Sequence, residues 1–315
     1  MNKLIVLTGP TAVGKTDLSI KLAKAVNGEI ISADSIQVYK DMNIGSAKIT
    51  EDEMQGVRHH LIDVLSPEED FNVVTFKNMA DKAIKEIYER GHIPIITGGT
   101  GFYIQAVLND IDFKENEDDG YRAYLENLVK EKGELYLHDM LKEVDEKSAE
   151  AIHFNNVKKV IRALEYHHQT GEKISEHNET ERAKKSPYNF AYFVLDCERE
   201  KLYKRIEKRV DIMIEQGLVD EVKGLLNKYD LSPDSVSVQG LGYKEVFAYL
   251  RGEISLDEAI YIIKRDTRHF AKRQLTWFRR EKEVIRIDKD IYDTDEKCLD
   301  YILGILKEKG IIQSD

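Results

Sequence analysis

Cysteine is scarce in this sequence, with Cys197 and Cys298 the only two among 315 residues. They lie far apart and neither belongs to a CxxC pair. This excludes a disulfide framework and a zinc knuckle, and two reduced thiols are expected. Long apolar runs are missing as well: no stretch approaches the roughly 18 consecutive apolar residues of a membrane-spanning helix. The opening "MNKLIVLTGP" has one lysine and too short an apolar segment for a secretory leader. The expected location is therefore the cytoplasm, with no membrane partner. Internal repeats and low-complexity tracts are also absent. What the chain does have is charge, since 33% of its residues ionise and their formal sum is −11. That composition suits a globular core under a densely charged surface. Taken alone, the acidic sum argues against a nucleic-acid partner, so the distribution of charge along the chain carries more information than its total.

The first third alternates strand and helix patterns. "KLIVLTG" reads as a buried strand, "KTDLSIKLAKAV" as a helix with Leu18, Leu22, Ala25 and Val26 at helical spacing, and "GEIISAD" as a second strand. Asn72 is placed to cap a helix running to about Arg90, with Phe76, Met79, Ala83, Ile84 and Ile87 on one face and Gly91 ending it. "IPIITGGTG" gives a further strand that closes on glycines. Such alternation predicts an α/β fold with a parallel sheet, in which ligands gather at the carboxyl ends of the strands. Near Phe113 the pattern changes to dense charge of both signs with no strand candidate, and two or three short amphipathic helices are expected. A polar stretch, "GEKISEHNETERAKKSP", reads as a mobile loop before the strand "YNFAYFVLDC". From Glu200 onward the chain reads as mostly helical. The division expected is a catalytic core of residues 1–112 and 187–315 interrupted by an all-helical insertion domain, 113–186.

Gly9, Gly14, Lys15 and Thr16 fit G-x-x-x-x-G-K-[ST] between a strand and a helix, with Pro10, Thr11, Ala12 and Val13 completing the loop. Its backbone N–H groups and the helix N-terminus attract phosphate, Lys15 adds a point charge, and the Thr16 hydroxyl is a candidate Mg²⁺ ligand. A phosphate cradle serves kinases, ATPases, GTPases and other transferases alike, so the ligand stays open. Asp34 follows the second strand and faces the same region, where a carboxylate either binds Mg²⁺ or removes a proton from a nucleophile. Thr100, in "TGGTGFY", is expected in the same cleft. Far downstream, Lys264, Arg265, Arg268, Lys272, Arg273, Arg279, Arg280 and Lys282 stand against only Asp266 and Glu281. This basic segment is interleaved with His269, Phe270, Trp277 and Phe278. Cations bind phosphates and aromatic faces stack on unpaired bases, so RNA is the partner this segment suits, with Arg268, Lys272 and Arg279 as contacts. For Trp277 and Phe278 a place in the core is the preferred reading. In "QGLGYKE" two glycines beside Tyr243 and Lys244 allow a ligand close to the backbone.

Taken together and in order, "GPTAVGKT", "SADSIQVY", "IGSAK", "GGTGFY", "RALEYHHQTG", "KRIEKRVDIMIEQGLVDEV", "QGLGYKE" and "TRHFAKRQLTWFRR" resemble the bacterial tRNA dimethylallyltransferase (tRNA isopentenyltransferase) family, from Leu4 to about Arg280. The resemblance implies a P-loop NTPase-like parallel sheet flanked by helices. It also implies transfer of a dimethylallyl group from dimethylallyl diphosphate to N6 of adenosine 37, beside the tRNA anticodon, in tRNAs reading codons that begin with U. On that basis the loop holds a leaving diphosphate with Mg²⁺ at Thr16, and Asp34 is the general base. Ser35, Ile36 and Gln37 meet the target nucleotide, and Thr100 touches tRNA. One of Arg205 and Arg209 meets the diphosphate, with Arg205 preferred. Further tRNA contacts are implied at Arg122, Lys158, Lys159, Val160, Ile161 and Arg162 in the insertion, and at Gln239, Gly240, Gly242, Tyr243 and Lys244. The partners implied are the tRNA anticodon stem-loop and dimethylallyl diphosphate, with the enzyme a monomer.

The sequence departs from the family pattern at Asn156 and Lys159, where Asp and Arg are common, and at Phe102, where leucine is usual. Lys159 keeps charge but lacks the bidentate fork of arginine. His167, His168 and His177 have no metal-site spacing, and the zinc finger of eukaryotic relatives has no counterpart. The alternatives are a P-loop small-molecule kinase, an isopentenyltransferase acting on free adenine nucleotides, and an ATP-gated RNA-binding switch without a catalytic base.

Overall fold

A computed structural model describes residues 2–113 and 119–313. They form two compact units, the first from residues 1–108 and 187–315 and the second from 109–186. Segment 114–118, at the head of the expected insertion, lies outside the described residues.

The first unit opens with strand β1 (Asn2–Thr8), helix α1 (Lys15–Val26), β2 (Gly28–Ala33), a short α2 (Glu51–Met54), β3 (His59–His60), α3 (Val73–Glu89), β4 (Ile93–Gly98) and α4 (Gly101–Leu108). The apolar runs account for the strands, and Asn72 caps α3 by accepting from Val74 and Thr75 N–H at 2.9 and 3.1 Å. The second unit consists of α5 (Tyr121–Lys132), α6 (Glu134–Val144), α7 (Glu146–Ala151), α8 (Val157–Thr170) and α9 (Ile174–Ala183). Its core gathers Leu125, Leu137, Leu141, Val160, Ile161 and Leu164. The chain then returns to the first unit with β5 (Tyr188–Asp196), α10 (Arg199–Glu215), α11 (Leu218–Lys228), α12 (Tyr243–Leu250), α13 (Leu256–Phe278), β6 (Val284–Asp288) and α14 (Asp295–Glu308).

All six strands are parallel, in the order β3-β2-β4-β1-β5-β6. The alternation of a pleated strand sorts β1 to both faces. Leu4 and Val6 join Ile31, Ile96, Tyr192 and Val194 beneath α3, α4 and the C-terminal helices, whereas Ile5 and Leu7 join Ile30, Ile95, Phe193 and Leu195 beneath α1 and α14. β1 is central, with β4 on one side and β5 on the other, so the loop after β1 leaves the sheet where the connections change direction.

Four expectations need correction. The stretch read as a mobile loop is helix α9. It lacks an apolar stripe but is docked by polar bonds: the Ser175 hydroxyl and N–H donate to Asp145 at 2.7 and 2.9 Å, and Glu181 accepts from Asp112 N–H at 3.2 Å. β3 and the edge strand β6 were not foreseen, the one because it has two residues, the other because "VIRID" alternates charge with apolar side chains. On α1, Ala25 faces water while Ile20 and Ala23 are buried, because the helix is covered on more than one side.

Candidate active site

The loop Gly9–Thr16 turns at the C-terminal end of β1. Gly14 caps α1 at φ 91°, in the left-handed region that side chains resist, and Ala12 also has a positive φ of 64°. Successive N–H groups in such a turn form an anion nest at the helix N-terminus. Lys15 folds back over the loop, its Nζ donating to the carbonyls of Gly9 and Pro10 at 3.0 and 2.8 Å. Burial, then the charge of Arg209, lowers its pKa to about 7 against the opposing pull of Asp34.

Beside this loop opens a cavity of about 460 Å³, formed within the first unit alone. Thr11, Lys15 and Thr16 line one part of it. Asp34, Ser35, Ile36 and Gln37 enter from the end of β2, Thr97–Thr100 from the end of β4, and Gly45–Ala47 from the intervening loop. Helix α10 contributes Ile206, Arg209, Val210 and Met213, the segment before α12 gives Val236 and Gln239–Leu241, and α12 itself gives Lys244. Helix α13 adds Ile263, Thr267, Phe270, Arg273 and Gln274. The cavity thus combines an anion nest and cations with an apolar wall of isoleucine, valine, methionine and phenylalanine.

Asp34 is oriented by its own turn. Its Oδ1 accepts from the N–H groups of Ile36 and Gln37 at 2.9 and 3.2 Å. No hydrogen bond among the described residues engages Oδ2, which leaves that oxygen for a ligand. Gln37 is committed to shaping the wall, with Oε1 accepting from the Ser32 hydroxyl at 3.1 Å and Nε2 donating to the carbonyls of Ser46 and Ala47 at 3.3 Å. Thr100 immediately precedes α4, its N–H bonded to the Ala33 carbonyl at 3.2 Å. Buried Tyr103 has its phenol pushed to about 12 by burial and by the charge of Asp34.

The structure brings together Thr11, Lys15, Thr16, Asp34, Ser35, Ile36, Gln37, Thr100, Arg209, Gln239, Gly240 and Lys244. Arg205 is not among them: its guanidinium lies 4.0 Å from the Cys197 sulfur, whereas Arg209 lines the cavity. Spacing four apart put both on one helix side, but only the second reaches the cavity. Gly242 stays off the wall and donates its N–H to Glu245 at 2.8 Å, while Tyr243 is a core residue, 2% exposed, with its hydroxyl on Glu221 at 2.7 Å. Val160 and Ile161 are likewise buried in the core of the second unit, so their side chains cannot meet RNA directly. On α8, Lys158 and Lys159 are exposed, whereas Arg162 and, from α5, Arg122 converge on Glu165 at 3.2 and 2.8 Å. On α13, Arg268 is paired with Glu207 at 2.6 Å, and Lys272 and Arg279 are exposed. Phe278 is fully buried, while Trp277 is half-buried with its ring 6.1 Å from that of Phe102.

Two residues escaped sequence reasoning. Gln274 is only 6% exposed, on the stripe of α13 that otherwise buries Ala271 and Phe278. Its Oε1 accepts from Thr11 N–H at 2.9 Å and its Nε2 donates to the Gly99 carbonyl at 3.0 Å, tying the phosphate loop to the turn after β4. A Cβ on Gly99 would stand 2.1 Å from that nitrogen, so only glycine permits the approach. Glu221, on α11, accepts from the N–H groups of Asn43, Ile44 and Gly45 at 2.9, 2.7 and 3.1 Å and holds the loop whose next residues line the cavity. A polar residue in register with an apolar stripe was the available signal for Gln274. Glu221 had none.

A sequence model of the IPP transferase family matches residues 37–281. The chain is 59% identical to a tRNA dimethylallyltransferase of Lachnoclostridium phytofermentans, covering 99% of this chain and 100% of that one. It is 51% identical to another from Acetivibrio thermocellus, over 99% of each. Among solved structures it is similar to the full-length tRNA isopentenylpyrophosphate transferase of Bacillus halodurans, with 47% identity, TM-score 0.74 and 98% of both chains covered. It is also similar to a eukaryotic dimethylallyltransferase acting on tRNA, with 28% identity and TM-score 0.79 over 98% of this chain and 80% of that one. With a phosphate loop, a free carboxylate oxygen and an apolar wall sharing one cavity, and with likeness running the length of the chain, the protein belongs to the IPP transferase family, the tRNA dimethylallyltransferases.

Proposed function

We propose that the protein transfers the dimethylallyl group of dimethylallyl diphosphate to N6 of adenosine 37 in tRNAs reading codons that begin with U, releasing diphosphate. The observation carrying this reading is the single cavity that holds Lys15, Arg209, Asp34 and an apolar wall together. The donor's diphosphate lies in the nest of residues 9–16 with Lys15 and Arg209, and its hydrocarbon against Ile206, Val210, Met213 and Phe270. As the C1–O bond breaks, charge collects on the departing diphosphate, where the fixed N–H groups and cations stabilise it. The N6–C1 bond forms, and the N6 proton passes to the free Oδ2 of Asp34. The adenine is everted to reach the cavity, because a stacked base presents no access to the amine.

A divalent cation fits the oxygen donors here. Thr16 and Asp34 both face the cavity, and no group of three His, Cys, Asp or Glu side chains converges among the described residues. Mg²⁺ held by the Thr16 hydroxyl, diphosphate oxygens and water suits such a sparse set. It would supply further neutralisation of the leaving group. Outside the cavity, Lys272 and Arg279 on α13 and the insertion 113–186, through Arg122, Lys158, Lys159 and Arg162, contact the anticodon stem-loop. The enzyme acts as a monomer in the cytoplasm.

Incubation with labelled dimethylallyl diphosphate and unmodified tRNA, AMP or ATP tests the assignment. Label in tRNA alone is the expected result, and label in AMP or ATP, or nucleotide turnover without transfer, rejects it. Asp34→Ala should lower kcat by about 10²- to 10⁴-fold while the dissociation constant for tRNA stays within about twofold. A loss of binding as large as the loss of rate would remove the role of base.

A further inference from the structure

Helices α5 and α8 of the second unit carry a stacked arrangement of rings that the site above does not use. Tyr121 and Tyr124 stand one turn apart on α5, with ring centroids 5.8 Å apart and planes inclined by 28°. The Tyr121 ring also lies on the imidazole of His168, from α8, at 3.8 Å and 13°. His168 is fixed in turn by Asp119, 2.9 Å from its Nε2. Tyr124, in contrast, is 53% exposed. It is an aromatic surface at one end of a stack and open to solvent.

The surroundings decide what such a surface suits. On α8, Lys158 and Arg162 stand one turn apart and are exposed, Arg162 in an ion pair with Glu165 at 3.2 Å. From Lys158 to Arg162 the face rises roughly 6 Å. Cations that meet phosphates beside a ring that meets a base are the combination used for unpaired RNA, whereas a duplex keeps its bases stacked inside and offers only backbone. We propose that Tyr124, backed by Tyr121 and His168, is a stacking platform for an unpaired base of the RNA substrate, with phosphate of the same strand on Lys158. This rests on the reading that the protein acts on an RNA stem-loop.

Stacking and ion pairing leave different signatures in salt. A lost phosphate contact reduces the slope of log affinity against log salt, whereas a lost stack lowers affinity equally at every salt concentration. Binding of the full chain to an unmodified anticodon stem-loop, measured by fluorescence anisotropy across a salt series, separates them. Tyr124→Ala should weaken binding on the order of tenfold with an unchanged slope, Tyr124→Phe should restore it, and Lys158→Ala should flatten the slope. For a blunt duplex of the stem alone, wild type and Tyr124→Ala should bind alike. The proposal is overturned if Tyr124→Ala binds the stem-loop within about twofold of wild type, if phenylalanine fails to rescue, or if the duplex shows the same deficit. Should wild type bind no stem-loop at any salt, the RNA reading itself falls, and the platform with it.

Discussion

Lys15, in the proposed diphosphate site, is tuned by its surroundings. Its ammonium is held among loop carbonyls, and burial together with Arg209 lowers its pKa from the usual 10.5 to about 7. A lysine so depressed is charged below pH 7 and mostly neutral above it. A diphosphate entering the loop restores the charged form, so at pH 8 binding should take up a proton, and at pH 6 the lysine is already charged. Calorimetry of inorganic pyrophosphate binding in buffers of different ionisation enthalpy reads this directly. The difference between wild type and Lys15→Ala removes the titration of pyrophosphate itself. We expect wild type to take up nearly one proton more than the variant at pH 8 and almost none more at pH 6; equal uptake at both would contradict the shift. Gln274 acts by another route, through two hydrogen bonds that set the phosphate loop against the Gly99 turn. Gln274→Met keeps the volume and loses both bonds. It should reduce kcat/KM for the prenyl donor by roughly tenfold, as expected for the loss of one or two net hydrogen bonds, and leave the melting temperature nearly unchanged. A normal kcat/KM would make the bridge a packing detail.

At the level of elements, α13 explains how an acidic protein presents a basic surface. Its middle is neutralised locally, Lys264 by Asp211 at 2.5 Å, Arg265 by Asp266 at 2.8 Å and Arg268 by Glu207 at 2.6 Å. Among the described residues, no ion pair holds Lys272, Arg273, Arg279 or Arg280, which gather toward the C-terminal end, where cations also complement the helix dipole. Lys272→Ala and Arg279→Ala should each reduce the salt slope of tRNA binding by about 0.7–0.9. Arg268→Ala should change it less, because its charge is already matched. Equal effects at all three positions would show that the Arg268 pair opens on binding. The same helix marks what the sequence could and could not reveal. Its charge and the phosphate loop were legible, because composition and motif spacing are local. Which cations are free, and which of Arg205 and Arg209 meets the cavity, depend on partners distant in the chain. Helix α9 was illegible for a related reason, since Asp145 holds its start by hydrogen bonds in place of an apolar stripe.

Across the whole molecule, the sheet separates chemistry from anchorage. The cavity lies at the carboxyl ends of the strands, while the opposite end of β2 carries Glu29, whose side chain is 4% exposed. Its carboxylate accepts from Arg90 through two bonds of 2.8 Å and pairs with His60 at 2.6 Å and His92 at 2.7 Å, joining β2, β3 and the connection from α3 to β4. Burial pushes this carboxyl up, but the bonds from Arg90, His60 and His92 outweigh it and bring the pKa to about 2. Because the folded value lies below the ordinary 4.5, the cluster stabilises the fold above about pH 4.5, and that stability drains away as pH falls toward 2. The shift corresponds to on the order of 3 kcal/mol. Glu29→Gln should therefore lose about 2–4 kcal/mol at pH 7, measured by urea unfolding, and should show a flatter decline in acid than wild type. Glu29 and Asp34 are five residues apart along one strand, roughly 16 Å at strand rise. A lesion at the first should accordingly leave kcat/KM unchanged at temperatures where the variant is folded. A fall in kcat/KM matching the loss of stability would mean that the two ends of the sheet are mechanically linked after all.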